Sequence, residues 1–549
     1  MSSVPTVRAA VRVDLNQRSP LRRIWRYIGY DEPNYTYTPN GHALLAKLAQ
    51  MSDGPYFVRC HFLLCSGDGT PSLKWGSTNV YTEDEAGAPV YDWTLIDKIL
   101  DSYIDLGLIP FVELGFTPAA LTTAPAETPY ADPRHGGWRY PPRDYGRWLE
   151  LVRNLAAHCR DRYGLAEVSK WYWELWNEPD IFYWAGTVDE YCRLYDFTVA
   201  GLEAALPQAR MGGPATTSSA TRPESSAFLR AFLEHVTRGT NHLTGRIGTR
   251  LDFVSYHAKG GSFGRDPQAG KATPSLFTLL ANVEAGLVVL GDFPELGKIE
   301  VILSECDTDG WAAGTIHDNP NLFYRNTEYY ASFVAAAVSG LIDRAAATGA
   351  ADTGARIDGM LTWAFLFEDR DYFEGFRTLS TNGIDKPVLN VFRLLAKLGG
   401  TRLALTSDRA VDPVARGRAD HADEPPAIDG LATMDEAGGL QLFLSSHHDD
   451  WDVTTATSLD IYVAGAPAGQ SYRVAQSLVA AGSSNAYTAW DAMGRPQAPT
   501  PAQRAALLHA ARLETVAVGE VTAGDDGLVF AVTLPSHCAC LLDFAPVDA

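Results

Sequence analysis

No basic run interrupts this 549-residue chain, whose 45 Lys and Arg against 66 Asp and Glu leave a formal net charge of −21. That excess disfavours nucleic acid and anionic membrane surfaces, both of which call for basic patches, and it disfavours a highly anionic substrate. No uninterrupted apolar stretch reaches the roughly 18 residues of a membrane-spanning helix, and Met1-Ser-Ser-Val-Pro-Thr-Val-Arg8 lacks the charged-then-apolar pattern of a secretory signal. The expectation is an unexported, cytoplasmic protein. Cysteine is sparse: seven residues, an odd number, with no C-x-x-C pair, which reads as reduced core thiols. Cys538-Ala-Cys540 puts two thiols on one face of a strand, and core packing accounts for them without a metal. H-E-x-x-H and P-loop patterns are both missing, so no metal and no nucleotide is implied. The turn after the first strand (Ile24-Trp-Arg-Tyr-Ile-Gly-Tyr-Asp-Glu-Pro-Asn34) is not the glycine-rich turn of a dinucleotide fold. No cofactor is expected.

What is present is apolar bulk, 46% of the chain with 13 tryptophans, in a length that calls for two domains. From about residue 20 to 400, short apolar runs alternate with amphipathic helices. The expected strand–helix units pair 23–28 with 41–51, 56–64 with 92–105, 108–114 with 143–163, and 171–176 with 189–205. They continue with 210–213 and 225–237, 252–257 and 275–290, 300–304 and 322–342, and 358–367 and 388–397. Eight units are what a closed (β/α)8 barrel needs, so a catalytic barrel is placed over 16–400. Residues 401–549 change texture: 440–445, 458–463, 471–478 and 528–534 read as strands between Gly, Pro, Ser and Asp turns, with one helix near 501–511. This is an all-β, sandwich-like accessory domain. The period-two strand of the N-terminal 1–15 segment is expected to join it, and 412–426 reads as a surface loop.

The barrel expectation turns strand ends into a search list, because such folds work at the C-terminal ends of their strands. The stretch Trp171-Tyr-Trp-Glu-Leu-Trp-Asn-Glu-Pro-Asp180 runs apolar and stops at Asn177 and Glu178, where Pro179 cannot donate to a ladder. Ile299-Glu-Val-Ile-Leu-Ser-Glu305 stops at a carboxylate in the same way. A charge at the tip of a buried strand costs stability unless it is paired, and at a barrel mouth it serves chemistry. His61, Glu113, Tyr256, His257, Trp363, Phe365 and Glu368 fall at other strand ends. Carboxylates, amides and aromatics without metal spacing suit sugar chemistry, with Glu178 and Glu305 flanking one glycosidic bond. Bland readings stand beside these: Glu305 or Glu113 as partners for Arg59, His61 as a buried structural histidine, Trp363 as barrel core.

Asn177-Glu-Pro179 with a seventh-strand Glu resembles the retaining glycosidases built on (β/α)8 barrels. Val58-Arg-Cys-His61, Phe111-Val-Glu-Leu-Gly-Phe-Thr-Pro118, Ser255-Tyr-His-Ala-Lys-Gly260 and Gly383-Ile-Asp-Lys-Pro387 narrow the likeness to family 39 glycoside hydrolases. That resemblance implies a β-sandwich beside the barrel, Glu178 as acid/base, Glu305 as nucleophile and Asn177 on the sugar 2-hydroxyl. It also implies His61 and Tyr256 contacting hydroxyls or the nucleophile, and Trp311, Trp363 and Phe365 walling the sugar. His257 and Glu368 join the expected substrate-binding set. Cys306 departs from the pattern, where a larger or more polar residue was expected after the nucleophile.

The reading is an exo-acting β-xylosidase on a small carbohydrate, with loops 260–274 and 307–321 closing one side of the cleft. A homo-oligomer is compatible with it. The sibling reading is α-L-iduronidase or α-L-arabinosidase activity. An iduronidase needs a cation for the substrate carboxylate, for which Lys259 and Arg370 are the candidates. A sugar-binding protein on a catalytically dead barrel is the reading from outside the enzymes.

Overall fold

The computed structural model describes residues 4–348, 351–363, 367–410 and 424–547. Eight strands pair in parallel and close on themselves: Tyr27–Tyr30, Phe57–Cys60, Ile109–Leu114, Tyr172–Leu175, Arg210–Thr216, Phe253–Lys259, Glu300–Asp307 and Ala351–Trp363. Closure comes from the eighth strand, which pairs with the first through Leu361–Tyr27 and with the seventh through Met360–Leu303. The extra strand Ala345–Thr348 only folds back antiparallel on the eighth. The barrel interior is filled from its lower end by Tyr27, Phe111, Tyr172, Phe253, Ile302 and Leu361, with Trp363 above them. Phe111 stacks on Tyr172 at 5.2 Å between centroids.

Each helix follows from its own pattern. Tyr145–Tyr163 starts where the Asp144 side chain accepts from the Arg147 amide, and it buries Trp148, Leu151, Val152 and Leu155 on one stripe. Val188–Ala205 opens with a full capping box between Thr187 and Glu190. One expected helix is broken. In place of a continuous helix over 322–342, a 3-10 segment Pro320–Asn326 precedes Glu328–Leu341, with the Thr327 side chain capping the latter. The reason is tertiary: Arg325 turns inward to Asp309 at 2.7 Å, a buried ion pair that a regular helix there does not direct inward.

The accessory domain is one nine-stranded sheet. Thr6–Pro20 lies inside it, antiparallel to Thr401–Ser407 and parallel to Ala456–Ala464. Its edge strands Thr515–Thr522 and Leu528–Leu534 approach one another, so the sheet folds over a core of Val11, Val13, Leu442, Ile461, Val474 and Phe544. Strands Thr401–Ser407, Ala427–Met434 and Thr515–Thr522 and the short helix Ala486–Ala492 were not anticipated, whereas the strand expected at Cys538-Ala-Cys540 is present as Cys538–Pro546. Thr515–Thr522 shows why: it is exposed on nearly every residue and carries no burial pattern. Phe443, Leu431 and Leu541 pack into the barrel's core, joining the two sheets. The surface loop expected over 412–426 lies mostly outside the described residues. Cys538 and Cys540 are buried core thiols, as are the other five cysteines. No helix among the described residues is long and apolar enough to cross a membrane.

Candidate active site

Glu178 follows the fourth strand on a backbone forced into the left-handed region, with φ of +69° at Trp176 and +44° at Glu178. Non-glycine residues in that region cost about 1–3 kcal/mol each and persist only where their surroundings hold them. Here the Trp176 amide donates to Leu114 O, the Glu178 amide to Ala215 O, and the Asp180 carboxylate is bound by Thr217. The strain lets Asn177 and Glu178 turn over the mouth instead of continuing the strand.

Glu305 sits in the seventh strand, level with His257 on the sixth, as Asp307 is level with Lys259. Side chains two apart share a face, so His257, Lys259, Glu305 and Asp307 all point inward. Lys259 Nζ lies 2.5 Å from Glu305 Oε2 and 2.5 Å from Asp307 Oδ2. His257 Nδ1 is 2.9 Å from Glu178 Oε1 and 3.8 Å from Glu305 Oε2. One side-chain ligand atom each from Glu178, His257 and Glu305 falls within 4.8 Å of the others. That triangle is wide enough for a cation, but Lys259 already supplies positive charge at Glu305.

Below the pair, fully buried Arg59 donates to Glu174 at 2.6 Å, pairs with Glu113 at 2.8 Å and binds Asn177 Oδ1 at 3.1 Å. Its Nη1 approaches Glu305 at 3.6 Å. The bland reading of Glu113 is therefore the observed one, and Glu305 meets Arg59 while remaining at the mouth. His61 bridges Glu113 at 2.5 Å, Asp31 at 3.3 Å and Glu305 at 3.4 Å, over the Trp363 ring at 4.5 Å. Arg59→Met strands Glu174 without its cation and leaves Glu113 to His61 alone. A buried pair broken on one side costs about 3–5 kcal/mol. Urea unfolding is expected to show a loss of that size, and a loss below about 1 kcal/mol refutes the role given to Arg59.

These contacts push the two glutamates apart in acidity. Burial, reinforced by the Glu305 charge, lifts the Glu178 carboxyl to about 7. Burial also opposes ionisation of Glu305, but Lys259 foremost, with His61, holds it well below the usual carboxylate range. Burial works against a charged His61, yet Glu113 wins and raises it to about 9. Burial lowers His257 to about 4, leaving a neutral ring beside Glu178. Glu32, buried next to Asp31, rises to about 8. Near neutral pH the site thus holds one protonated and one ionised glutamate, the division that acid/base and nucleophile roles require.

Not every expected residue belongs to this group. Tyr256 points the other way: its hydroxyl donates to Val283 O and its ring packs against Gly286 of the outer helix Leu276–Gly291. Alternation decides this, since its neighbour His257 faces inward. Glu368 accepts the Asn40 amide near the start of helix Pro39–Ala49, a structural contact. Trp311 is half-buried in the seventh loop against Gly314; it does not itself line the cleft bounded by Asp31, Glu32, Trp363, Phe367 and Arg377, which its neighbours Ala312 and Ala313 do. Phe365 lies outside the described residues. Missing from the expected set were Glu174, Asp307, Asp309 and Arg377. Arg377 pairs with Asp307 at 3.4 Å and donates to Trp363 O at 3.1 Å, while the Asp307 carboxylate accepts the Trp363 amide at 2.8 Å. The two-residue step from Glu305 would have found Asp307. Arg377, on a long loop, gives no such signal. Asp307 also explains the departure at Cys306, which alternation turns into the buried outer side.

A closed parallel barrel carrying two opposed glutamates at its fourth and seventh strand ends defines a glycoside hydrolase. The family described as Glycosyl hydrolases family 39 matches residues 9–523, and the chain belongs to it. Among characterised relatives, a β-xylosidase of Caldicellulosiruptor saccharolyticus is 26% identical over 389 residues, 67% of this chain and 66% of that protein. Human α-L-iduronidase is 32% identical over 254 residues, 44% of this chain and 34% of the human one. The chain thus spans just under two thirds of the first of these and about a third of the second. In solved structures, a bacterial orthologue of human α-L-iduronidase superposes with a TM-score of 0.75 at 24% identity, covering 98% of this chain and 84% of that one. A monomeric β-xylosidase from Caulobacter crescentus gives 0.73 at 21%, covering 99% and 100%. At these identities the superpositions speak for the fold.

Proposed function

We propose that the chain is a retaining, exo-acting glycosidase for β-xylosides. Glu178 protonates the leaving oxygen, and Glu305 attacks the anomeric carbon to form a glycosyl ester that water then hydrolyses. The observation that carries the retaining mechanism is the approach of a Glu178 oxygen to a Glu305 oxygen within 4.8 Å. Retaining enzymes hold their carboxyl groups about 5–5.5 Å apart, and inverting enzymes leave about 6.5–9.5 Å for a water. Once Glu305 is esterified its charge is gone, the cause that lifts Glu178 is removed, and Glu178 becomes the base for the second step.

The choice of a neutral sugar rests on charge. Every cation beside the pair already meets a carboxylate: Lys259 with Glu305 and Asp307, Arg377 with Asp307, Lys74 with Asp31, Arg59 with Glu113 and Glu174. Trp363 and Phe367 lining the cleft suit a pentose, which carries no exocyclic CH2OH. One observation favours the uronide reading instead. Lys259 points into the site, where it can turn from Asp307 to a substrate carboxylate, whereas Arg370 lies over the Phe376 ring at 5.1 Å. A panel of aryl glycosides separates the two readings. β-Xyloside hydrolysis is expected to exceed that of the β-glucoside at least about tenfold, with some α-L-arabinoside turnover. Proton NMR is expected to detect β-xylose as the first product. Cleavage of an aryl α-L-iduronide with none of the xyloside reverses the assignment, and α-xylose as first product rejects retention.

A further inference from the structure

A second cluster of chemically capable side chains lies on the outer face of the barrel, between the helices that follow the fourth and fifth strands. Asp196 projects from Val188–Ala205, His235 from the last turn of Pro223–Arg238, and His242 from the loop after it. His235 Nε2 lies 3.0 and 3.1 Å from the two oxygens of Asp196. The rings of His235 and His242 stack at 5.3 Å with planes 22° apart. One ligand atom from each of the three residues falls within 4.8 Å of the others. His242 Nε2 also faces Asp189 at 3.4 Å, one helical stretch above Asp196.

The carboxylate is in an unusual position for a surface residue. Asp196 is 1% exposed, and among the described residues no lysine or arginine pairs with it. Its partners are His235, the His242 amide at 2.7 Å and the Thr249 hydroxyl. Burying a carboxylate costs several kcal/mol unless a positive charge meets it. A divalent cation supplies that charge, and two imidazoles with one carboxylate suit zinc and its first-row neighbours better than calcium or magnesium. With metal–ligand bonds of about 2.0–2.1 Å, adjacent tetrahedral ligands stand roughly 3.3 Å apart. The Asp196–His235 spacing is already close to that. Thr249 and the His242 amide provide the supporting hydrogen bonds that ligating carboxylates carry in metal sites. The side chains of His235 and His242 keep 11% and 27% exposure, so solvent reaches the site.

We propose that Asp196, His235 and His242 form a structural site for a zinc-like divalent cation, with Asp189 or water completing the coordination. The ion ties loop 239–249 to the two helices. Besides its bonds to Asp196, that loop is held by Asn241, which accepts the Leu243 and Thr244 amides, and by the Thr249 amide donating to Val236 O, and it exposes Leu243 and Ile247. The site lies among the outer helices, apart from the glutamate pair, and its occupancy is independent of catalysis.

The test uses the full chain, stripped with chelator and titrated with cobalt(II) as a spectroscopic probe. One equivalent is expected to develop visible d–d absorption, which one equivalent of zinc abolishes and excess magnesium does not. His242→Ala removes a solvent-accessible ligand with little risk to folding and is expected to weaken cobalt binding at least about tenfold. His509→Ala, on helix Pro501–Ala510, controls for adventitious surface histidines and is expected to bind as the parent does. Zinc is expected to raise the Tm of the parent and not of His242→Ala. Absence of a saturable one-to-one signal, or equal affinity in His242→Ala and His509→Ala, overturns the proposal and leaves a histidine–carboxylate pair.

Discussion

Glu305→Gln is expected to lower kcat on the order of 10⁵-fold for every glycoside, activated or not. The amide keeps the shape of the side chain but cannot attack the anomeric carbon, and it removes the anion that stabilises developing positive charge on the sugar ring. Folding is expected to survive, because Lys259 keeps Asp307 at 2.5 Å when Glu305 loses its charge. The same substitution carries an electrostatic signature. The Glu305 charge is one cause of the raised Glu178 pKa, so in Glu305→Gln the Glu178 carboxyl titrates below its parent value of about 7. Carbon NMR of the labelled carboxyl reads that fall directly. A fluorinated xylosyl donor incubated with the parent places its mass on the peptide containing Glu305. Residual activity above about 1%, or label on Glu113, moves the nucleophile elsewhere.

Glu178→Ala is expected to separate substrates by leaving group. Aryl xylosides with poorly acidic phenols need their oxygen protonated and lose about 10²–10⁴-fold in kcat/KM. Dinitrophenyl xyloside, whose leaving group departs unaided, is hurt far less in its bond-breaking step, and added azide restores turnover by replacing the base-activated water. The pH profile changes in step. In the parent, activity requires Glu178 protonated and Glu305 ionised. It is lost as pH rises through about 7, where Glu178 gives up its proton, and on the acid side only below the usual carboxylate range, where Glu305 gains one. Glu178→Ala is expected to lose the limb near 7 with the dinitrophenyl substrate. Equal damage to all leaving groups, with that limb retained, means that another residue is the acid.

The two glutamates were legible because a strand built of aromatic and branched residues has no other reason to stop on a carboxylate. Glu178 follows a run that Pro179 ends, and Glu305 follows Val301-Ile-Leu303. The eight βα units were legible for a related reason: periods of 2 and 3.6 residues are set by backbone geometry and need no knowledge of neighbours. Tyr256 and His257 mark where that reasoning fails. They are adjacent on one strand and face opposite ways, and pattern alone does not say which of two faces is the barrel's interior. Glu368 was misplaced because a carboxylate on a loop binds a catalytic partner or a helix start equally well, and here Asn40 brought the helix start to it.

By itself, then, the amino-acid order determined the barrel, the all-β character of the second module and the positions of the two glutamates, since each follows from local periodicity and its interruption. Only the tertiary structure decided how those glutamates are charged. Arg59 on the second strand, His61 just past its end, Glu113 on the third, Glu174 on the fourth and Lys259 on the sixth meet beneath the mouth, and Arg377 arrives there from a loop. Coulomb energies depend on separations in space, and strand closure brings to within 4 Å charges that stand more than a hundred residues apart along the chain. For the same reason the grouping of Asp196 with His235 and His242 has no trace in spacing: its ligands belong to two helices and a loop, brought together only by packing on the barrel's outer face.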